Sequence, residues 1–298
     1  MKIARTKTFD QFRVVSIASG SADTVAFGLE DNSVKVFNAA KLMSVATLGG
    51  HPQPVYALAF NKAGTQLLTA DVSARIYLWD VKKGKKIKEF SREKGHTKSI
   101  KAIAFHPNGI NFATVGDDDF LKVWSVKGSH PVATVPGNAA NLYGVGFTPS
   151  GSILTGTLTG EVRVYNIAGK LLASMPAPNS NGINGLATNW SGNTVTASRD
   201  GRLTLWNLAA KSRAKTYTGH TDWAINAAIT PNGQVGASSG SDGRVSVWML
   251  KKNIKLATLE NQSYVGSPIT FTGNGKYFLT GNASGFLEVY TVSPSQGK

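Results

Sequence analysis

Residues 219–249 read GHTDWAINAAITPNGQVGASSGSDGRVSVWM, and this stretch decides the fold. A Gly-His opens it and a short apolar run follows. A Pro-Asn-Gly turn then leads into a Ser-rich segment, and an Asp-Gly turn leads into a last run that ends at Trp248. Apolar and polar residues alternate at a period of two, with Gly, Asn, Asp and Pro at the boundaries, which is the pattern of short strands joined by tight turns. No helical period competes with it.

The same unit recurs along the chain. Aligned on the aromatic that closes the third strand, the copies end at Phe37, Trp79, Trp124, Tyr165, Trp206, Trp248 and Tyr290, spaced by 42, 45, 41, 41, 42 and 42 residues. Repeats of this length correspond to four-stranded propeller blades, and seven of them fill one closed ring. The seventh copy has three strands followed by a polar tail, residues 292–298. The N-terminal segment IARTKTF (Ile3 to Phe9) reads like the other outer strands, so residues 1–9 are expected to pair beside Phe286 to Thr291 and close the circle. Closure in this way protects sheet edges. The expectation is an all-β chain, one seven-bladed propeller over residues 1–298.

The unit resembles a WD40 repeat, and the resemblance runs through the whole chain. It implies a buried His–Ser/Thr–Asp–Trp chain within a blade, met here by His220, Ser238, Asp242 and Trp248, and by His96, Thr114, Asp118 and Trp124. In both sets His precedes Trp by 28 residues and Asp precedes it by six. The second unit keeps His51, Thr69 and Trp79 but has Ser73 at the Asp position, and the fifth keeps Thr196, Asp200 and Trp206 without a His. A Ser, a His and an Asp together also invite a hydrolase reading. Recurrence across blades argues instead for a structural role, since a nucleophile needs a single exposed site.

The bulk numbers narrow the partners. The chain carries 32 basic and 17 acidic residues, a net charge of +15, which favours acidic partners. There is no cysteine, so neither disulfides nor Cys-based metal sites arise, and a reducing compartment fits. No signal-like segment and no apolar run of membrane-spanning length occurs. Neither a phosphate loop nor an HExxH motif is present, and no cofactor or small-molecule substrate is expected. Asp117-Asp118-Asp119 lacks EF-hand spacing and reads as a turn. His106 and His130 are expected to be solvated in turns.

Two surfaces are candidates for binding. The first is a basic rim of nine residues in a stretch of 20: Lys82, Lys83, Lys85, Lys86 and Lys88, then Arg92, Lys94, Lys98 and Lys101, against Glu89 and Glu93, running as a stripe from the VKKGKK hairpin on one face along KIKEF to the SREKGHTK loop on the opposite face. Phe90 is the sole aromatic among them, so stacking on single-stranded bases has little support. A plain solvated outer strand is the alternative, because Lys there blocks edge pairing. The second is the top face which the family resemblance implies, with Tyr56, Lys98, Lys101, Tyr143, Arg199, Trp223 and Tyr264 exposed on it. Aromatics beside Arg and Lys form binding hot spots, and Trp223, in a loop after Gly-His-Thr-Asp, is the strongest single candidate.

The resulting expectation is a non-catalytic cytoplasmic scaffold within a larger assembly, with an acidic protein, a ribonucleoprotein or ribosome, or a tubulin-like surface as partner. An enzyme acting through channel residues is the other class. Two narrower resemblances bear on this. TASRDGRLTLW (Thr196 to Trp206) is similar to the SRDK-type turn of the ribosome-bound receptor for activated C kinase, with Gly201 where Lys stands there. GVGFTPSGSILTGTLTGEVRVY (Gly144 to Tyr165) looks like a blade of the echinoderm-microtubule-associated-protein-like family.

Overall fold

A computed structural model of the chain describes residues 2–137, 141–177, 181–260, 262 and 267–293. Among these residues every regular element is a strand. They form five four-stranded antiparallel sheets and one seven-stranded sheet. The larger sheet is two blades fused by a single long strand, Lys2–Ser19. Its first half pairs with Phe286–Ser293, from Lys2 opposite Ser293 to Phe9 opposite Leu287. Its second half pairs with Thr24–Leu29, from Val14 opposite Leu29 to Ser19 opposite Val25. The N-terminal strand therefore closes the ring, and its partner runs on to Ser293, two residues beyond the expected Thr291.

The innermost strands are the second half of Lys2–Ser19, then Val55–Phe60, Ile100–Phe105, Leu142–Phe147, Ile183–Thr188, Ala224–Ile229 and Ile269–Phe271. Each touches the next in sequence, and the last touches the first, so seven blades stand in a closed circle.

The apolar core lies between blades. Val34, Val36 and Leu48 of blade 1 pack on Val55, Leu67 and Trp79 of blade 2, and Val115, Leu121 and Val123 of blade 3 pack on Leu142, Phe147 and Tyr165 of blade 4. Sandwiching each sheet between neighbours covers both of its faces. Second strands such as Val235–Gly240 are accordingly buried throughout, and strict in–out alternation survives only on outer strands such as Pro131–Pro136. Blade 1, where the chain ends meet, has Phe37 in place of Trp and fills the space with rings: Phe9 lies 5.3 Å from Phe37, and Phe12 lies 5.2 Å from Phe27.

The turns fix which residues share an end of the ring. In blades 2 to 7 the turn between inner and second strand holds Gly64, Gly109, Gly151, Gly192, Gly233 and Gly275 at φ between 66° and 88°. That left-handed conformation favours glycine. These turns touch around the circle, as where Asn274 donates to Asp23 at 2.6 Å. The turns from third to outer strand lie at the same end, because Val81 N donates to Thr65 O and Leu250 N to Gln234 O. The inter-blade loops and the turns between second and third strands form the opposite end, here called the top.

Candidate functional site

Blade 3 shows the buried polar chain in full. His96 bridges Asp118 (2.7 Å) and the Thr114 hydroxyl (2.7 Å), and the Trp124 indole donates to the same hydroxyl at 2.8 Å. In blade 6 His220 bridges Asp242 (2.9 Å) and Ser238 (2.8 Å). There Trp248 meets His220 edge to face at 6.5 Å, and no hydrogen bond from its indole to Ser238 is found among the described residues. Asp118 and Asp242 also accept from the backbone of Thr97 and Thr221, which ties each Gly-His loop to its blade. Burial on its own raises the pKa of these carboxylates, but the hydrogen bonds from His and backbone outweigh it and hold both below the usual range. All three Gly-His histidines are buried, each inside its own blade.

Blade 2 departs from the sequence expectation. Ser73 leaves no gap, because Asp71, two residues earlier, supplies the carboxylate. His51 binds Asp71 at 2.9 Å and Thr69 at 2.6 Å, and Trp79 donates to Thr69 at 2.9 Å. The corresponding position in blades 3 and 6 is Gly116 and Gly240. A Cβ on Gly240 would come within 2.4 Å of His220 Nδ1, so a side chain fits there only where it replaces the later Asp.

Blade 7 uses a different set. Buried Glu288 accepts from Tyr290 (2.5 Å), Asn282 (3.3 Å) and Gln262 (3.4 Å), and Gln262 in turn accepts from Thr280 (3.2 Å). Blade 4 has neither the His nor the Trp, and Thr155 Oγ1 is buried with no hydrogen-bond partner among the described residues. Thr155→Val is expected to raise stability by about 1 kcal/mol, since it removes an unsatisfied buried hydroxyl at nearly constant shape. Thermal unfolding measures this, and a lowered melting temperature would count against the orphaned hydroxyl.

A second repeated device shapes the top. The residue two before the third-strand aromatic donates to the carbonyl of the loop above it: Tyr77 to Gly50 (3.3 Å), Lys122 to Lys94 (3.0 Å), Arg163 to Gly137 (3.0 Å) and Ser246 to Gly219 (3.2 Å). Four chemically different side chains hold four inter-blade loops at one height. Burial lowers the Lys122 pKa.

A channel of about 1040 Å3 runs down the axis, lined by the inner strands of all seven blades. Tyr56, Lys101, Tyr143 and Asn184 line it. Tyr56 is exposed, Tyr143 is half-buried, and Lys98 is exposed in the loop beside them. Lys101 is paired with Asp117 at 3.0 Å. Of the top-face candidates, Arg199 and Trp223 are brought into direct contact. The guanidinium lies over the indole, 4.5 Å from the ring centre, and is held by Asn184 Oδ1 at 3.2 Å. Trp223 is 46 % exposed. These two residues come from different blades, and nothing in their sequence separation announces the stack. Tyr264 lies outside the described residues.

The basic rim is divided by the fold. Lys82 and Lys83 occupy the turn at the bottom end, and Arg92, Lys94 and Lys98 the loop at the top. Lys85 and Lys86 lie on the outer strand Lys85–Glu89. Lys86 reaches Glu89 (3.7 Å) and sits 4.0 Å from the centre of the Tyr77 ring. Lys88 is committed inward: it donates to the carbonyls of Val126 (3.3 Å) and Gly128 (2.5 Å) and clamps blade 2 to blade 3. Phe90 is buried beneath the strand, out of reach of any base.

Of the remaining candidates, Asp117 and Asp118 serve Lys101 and His96 separately. Among the described residues no group of three His, Cys, Asp or Glu is placed to hold a metal. His130 is exposed, but His106 is not simply solvated. It packs edge-on to Phe147 at 5.0 Å, accepts from Asn108 N at 3.0 Å, and burial lowers its pKa.

Comparison with known proteins gives a family match and two partial relatives. The family described as "WD domain, G-beta repeat" matches residues 42–80, 84–125, 169–207 and 211–249, together more than half of the chain. These four matches end in the four blades that keep Trp. A stretch of 79 residues is 27% identical to meiotic recombination protein rec14 of Schizosaccharomyces pombe, covering 26% of each chain. A stretch of 64 residues is 39% identical to small ribosomal subunit protein RACK1 of Brassica napus, covering 22% of this chain and 19% of that one. The matched stretches thus span about a quarter and about a fifth of these relatives.

Proposed function

This chain belongs to the WD40-repeat family, and from that premise we propose that it is a non-catalytic scaffold that docks protein partners on its top face. The observation that carries the reading is the Arg199–Trp223 stack, 4.5 Å from guanidinium to ring centre, with Arg199 held by the channel-lining Asn184. A half-exposed indole held flat by a cation is a preorganised anchor, and such residues dominate interface energetics. The exposed Arg92, Lys94 and Lys98 on the same face favour an acidic partner and speed its approach. A large assembly is the setting proposed here, in the cytoplasm.

The RACK1 match supports a ribosomal or other ribonucleoprotein partner over a tubulin-like surface, which no comparison favours. An enzyme acting through the channel remains the second class, and Arg13, Glu30, Tyr56, Lys101 and Tyr143 among its lining are the titratable groups it would draw on.

The test is affinity purification of the tagged full chain against Trp223→Ala and Arg199→Ala at matched melting temperature. The partner set is expected to fall roughly thirtyfold in recovery for Trp223→Ala, as for a hot spot of about 2 kcal/mol. Binding should also weaken steeply with added salt. Full retention by both variants, with loss only on reversing Lys82, Lys83, Lys85 and Lys86, would move the site to the rim.

A further inference from the structure

The end of the ring opposite the Arg199–Trp223 stack carries an uneven charge that the linear sequence conceals. Lys41, Lys127, Lys170, Lys211 and Lys251 sit in the third-to-outer turns of blades 1, 3, 4, 5 and 6, and Lys82 and Lys83 sit in that of blade 2. Lys62 and Lys276 occupy the inner-to-second turns of blades 2 and 7, at the same end, and Lys252 follows Lys251. Every blade contributes at least one, and all are exposed. The carboxylates at this end are Asp23 and Asp80; Asp23 is bonded to Asn274, and Asp80 faces Lys83 at 3.8 Å. Among the described residues no other of these lysines has an acidic partner. Glu30, Asp31, Glu93, Asp117, Asp200 and Asp222 are all at the top.

The same end also gathers exposed apolar side chains. Met43, Ile110, Ile167, Leu171, Trp190 and Ile254, half of the exposed large hydrophobics among the described residues, lie in these turns or on the first residue of the strand that leaves them. Trp190 is 41 % exposed at the tip of its turn. Lysines interleaved with aliphatic and Trp tips make an amphipathic surface, with ammonium groups at headgroup level and apolar tips just below.

We propose that this end is a docking face for an anionic lipid surface. Geometry favours a bilayer over a nucleic acid. The lysines are spread around the full circle, and a plane meets all seven blades at once, whereas a duplex is a rod that reaches only the turns beneath it. Phosphate backbones also give no use to exposed Met, Ile and Leu. Arginine, the usual bidentate phosphate ligand, is absent from these turns, and Lys serves as the flexible point charge. The opposite face stays open to protein partners, so one ring can hold an assembly at a membrane without a spanning segment.

The test is co-sedimentation of the full chain with phosphatidylcholine vesicles containing about 30% phosphatidylserine, a composition that attracts each surface lysine by about fivefold in affinity. Pure phosphatidylcholine vesicles are the reference. Reversing Lys127, Lys170, Lys211 and Lys251 to Glu is expected to reduce binding at least a hundredfold. Reversing Arg92, Lys94, Lys98 and Lys101, an equal change of net charge at the top, leaves it within about threefold. Trp190→Ser with Ile167→Ser should leave binding at low salt and lose it at physiological salt. Equal loss from both charge reversals would reduce the effect to net charge and overturn the proposal. So would failure of the unaltered chain to bind the acidic vesicles, including the case where it binds RNA or a polyglutamate peptide instead. Circular dichroism of each variant confirms folding. The Trp223→Ala variant is expected to bind vesicles normally, so failure here and failure of the scaffold reading are separable.

Discussion

Deleting residues 1–9 is expected to lower the melting temperature by more than about 10 °C and to drive the chain into aggregates. The segment supplies the outer strand of blade 7, paired from Lys2 opposite Ser293 to Phe9 opposite Leu287. It also supplies Phe9, buried against Phe37 at 5.3 Å and Phe12 at 5.8 Å where blades 7 and 1 meet. Losing a buried Phe costs about 3–5 kcal/mol. At roughly 2–4 °C per kcal/mol for a chain of this size, Phe9 alone accounts for most of the shift. The rest comes from the edge of Phe286–Ser293, whose exposed N–H and C=O groups become a template for a second chain. Arg5, 3.5 Å from the nearly buried Glu288, leaves as well. Differential scanning calorimetry and size-exclusion chromatography measure the two effects. Phe9→Ala separates them, since it should lower the melting temperature while the protein stays monomeric. An unchanged melting curve for the deletion would mean that the ring holds without its closing strand.

The ring itself was legible in the sequence because its signal is redundant. Seven aromatics at a period near 42 outvote any single irregular blade, and the turn glycines repeat with them. The closing strand was legible too, because a three-stranded last copy leaves a vacancy that Ile3 to Phe9 fits. The candidate surfaces were legible only in part. Trp223 stood out by its loop position, but its stacking on Arg199, 24 residues earlier in the neighbouring blade, depends on ring geometry that local pattern does not encode. The spread of the lysine cluster from 82 to 101 over the two ends of a blade was legible from its hairpin and inter-blade loop, but the bonding of Lys88 to blade 3 was not. Conversely, lysines spaced some forty residues apart meet on one face. Proximity along the chain is a poor guide in a repeat fold, where equivalent positions of successive copies are the true neighbours.

Substituting Asp71 by Ala carries the second large effect, and it separates the structure from the motif. By the spacing of the other blades, the second unit lacks its Asp, and Asp71 is an unremarked polar residue at the end of a strand. In the structure one oxygen binds His51 at 2.9 Å. The other accepts from Ser73 N (2.9 Å), Ser73 Oγ (2.8 Å) and Arg75 N (3.0 Å). The side chain is fully buried. Alanine strands the buried His51 and removes the acceptor of the half-buried Ser73 and Arg75 donors, which costs about 3–5 kcal/mol, or roughly 10 °C in melting temperature. The loss should match or exceed that of Asp242→Ala in blade 6, whose carboxylate is slightly exposed. Acid provides an internal check. Burial alone would raise the Asp71 pKa, yet the bonds from His51, Arg75 and Ser73 together bring it below the usual carboxylate value. A lowered folded-state pKa adds stability that is fully present above the unfolded value of about 3.9 and is lost as pH falls through the folded one. The melting-temperature gap between the unaltered chain and Asp71→Ala is therefore constant at neutral pH and narrows below about pH 4. If Asp71→Ala melts with the unaltered chain at pH 7, the carboxylate of blade 2 does not hold His51, and the swap between the two positions is not part of how this blade is built.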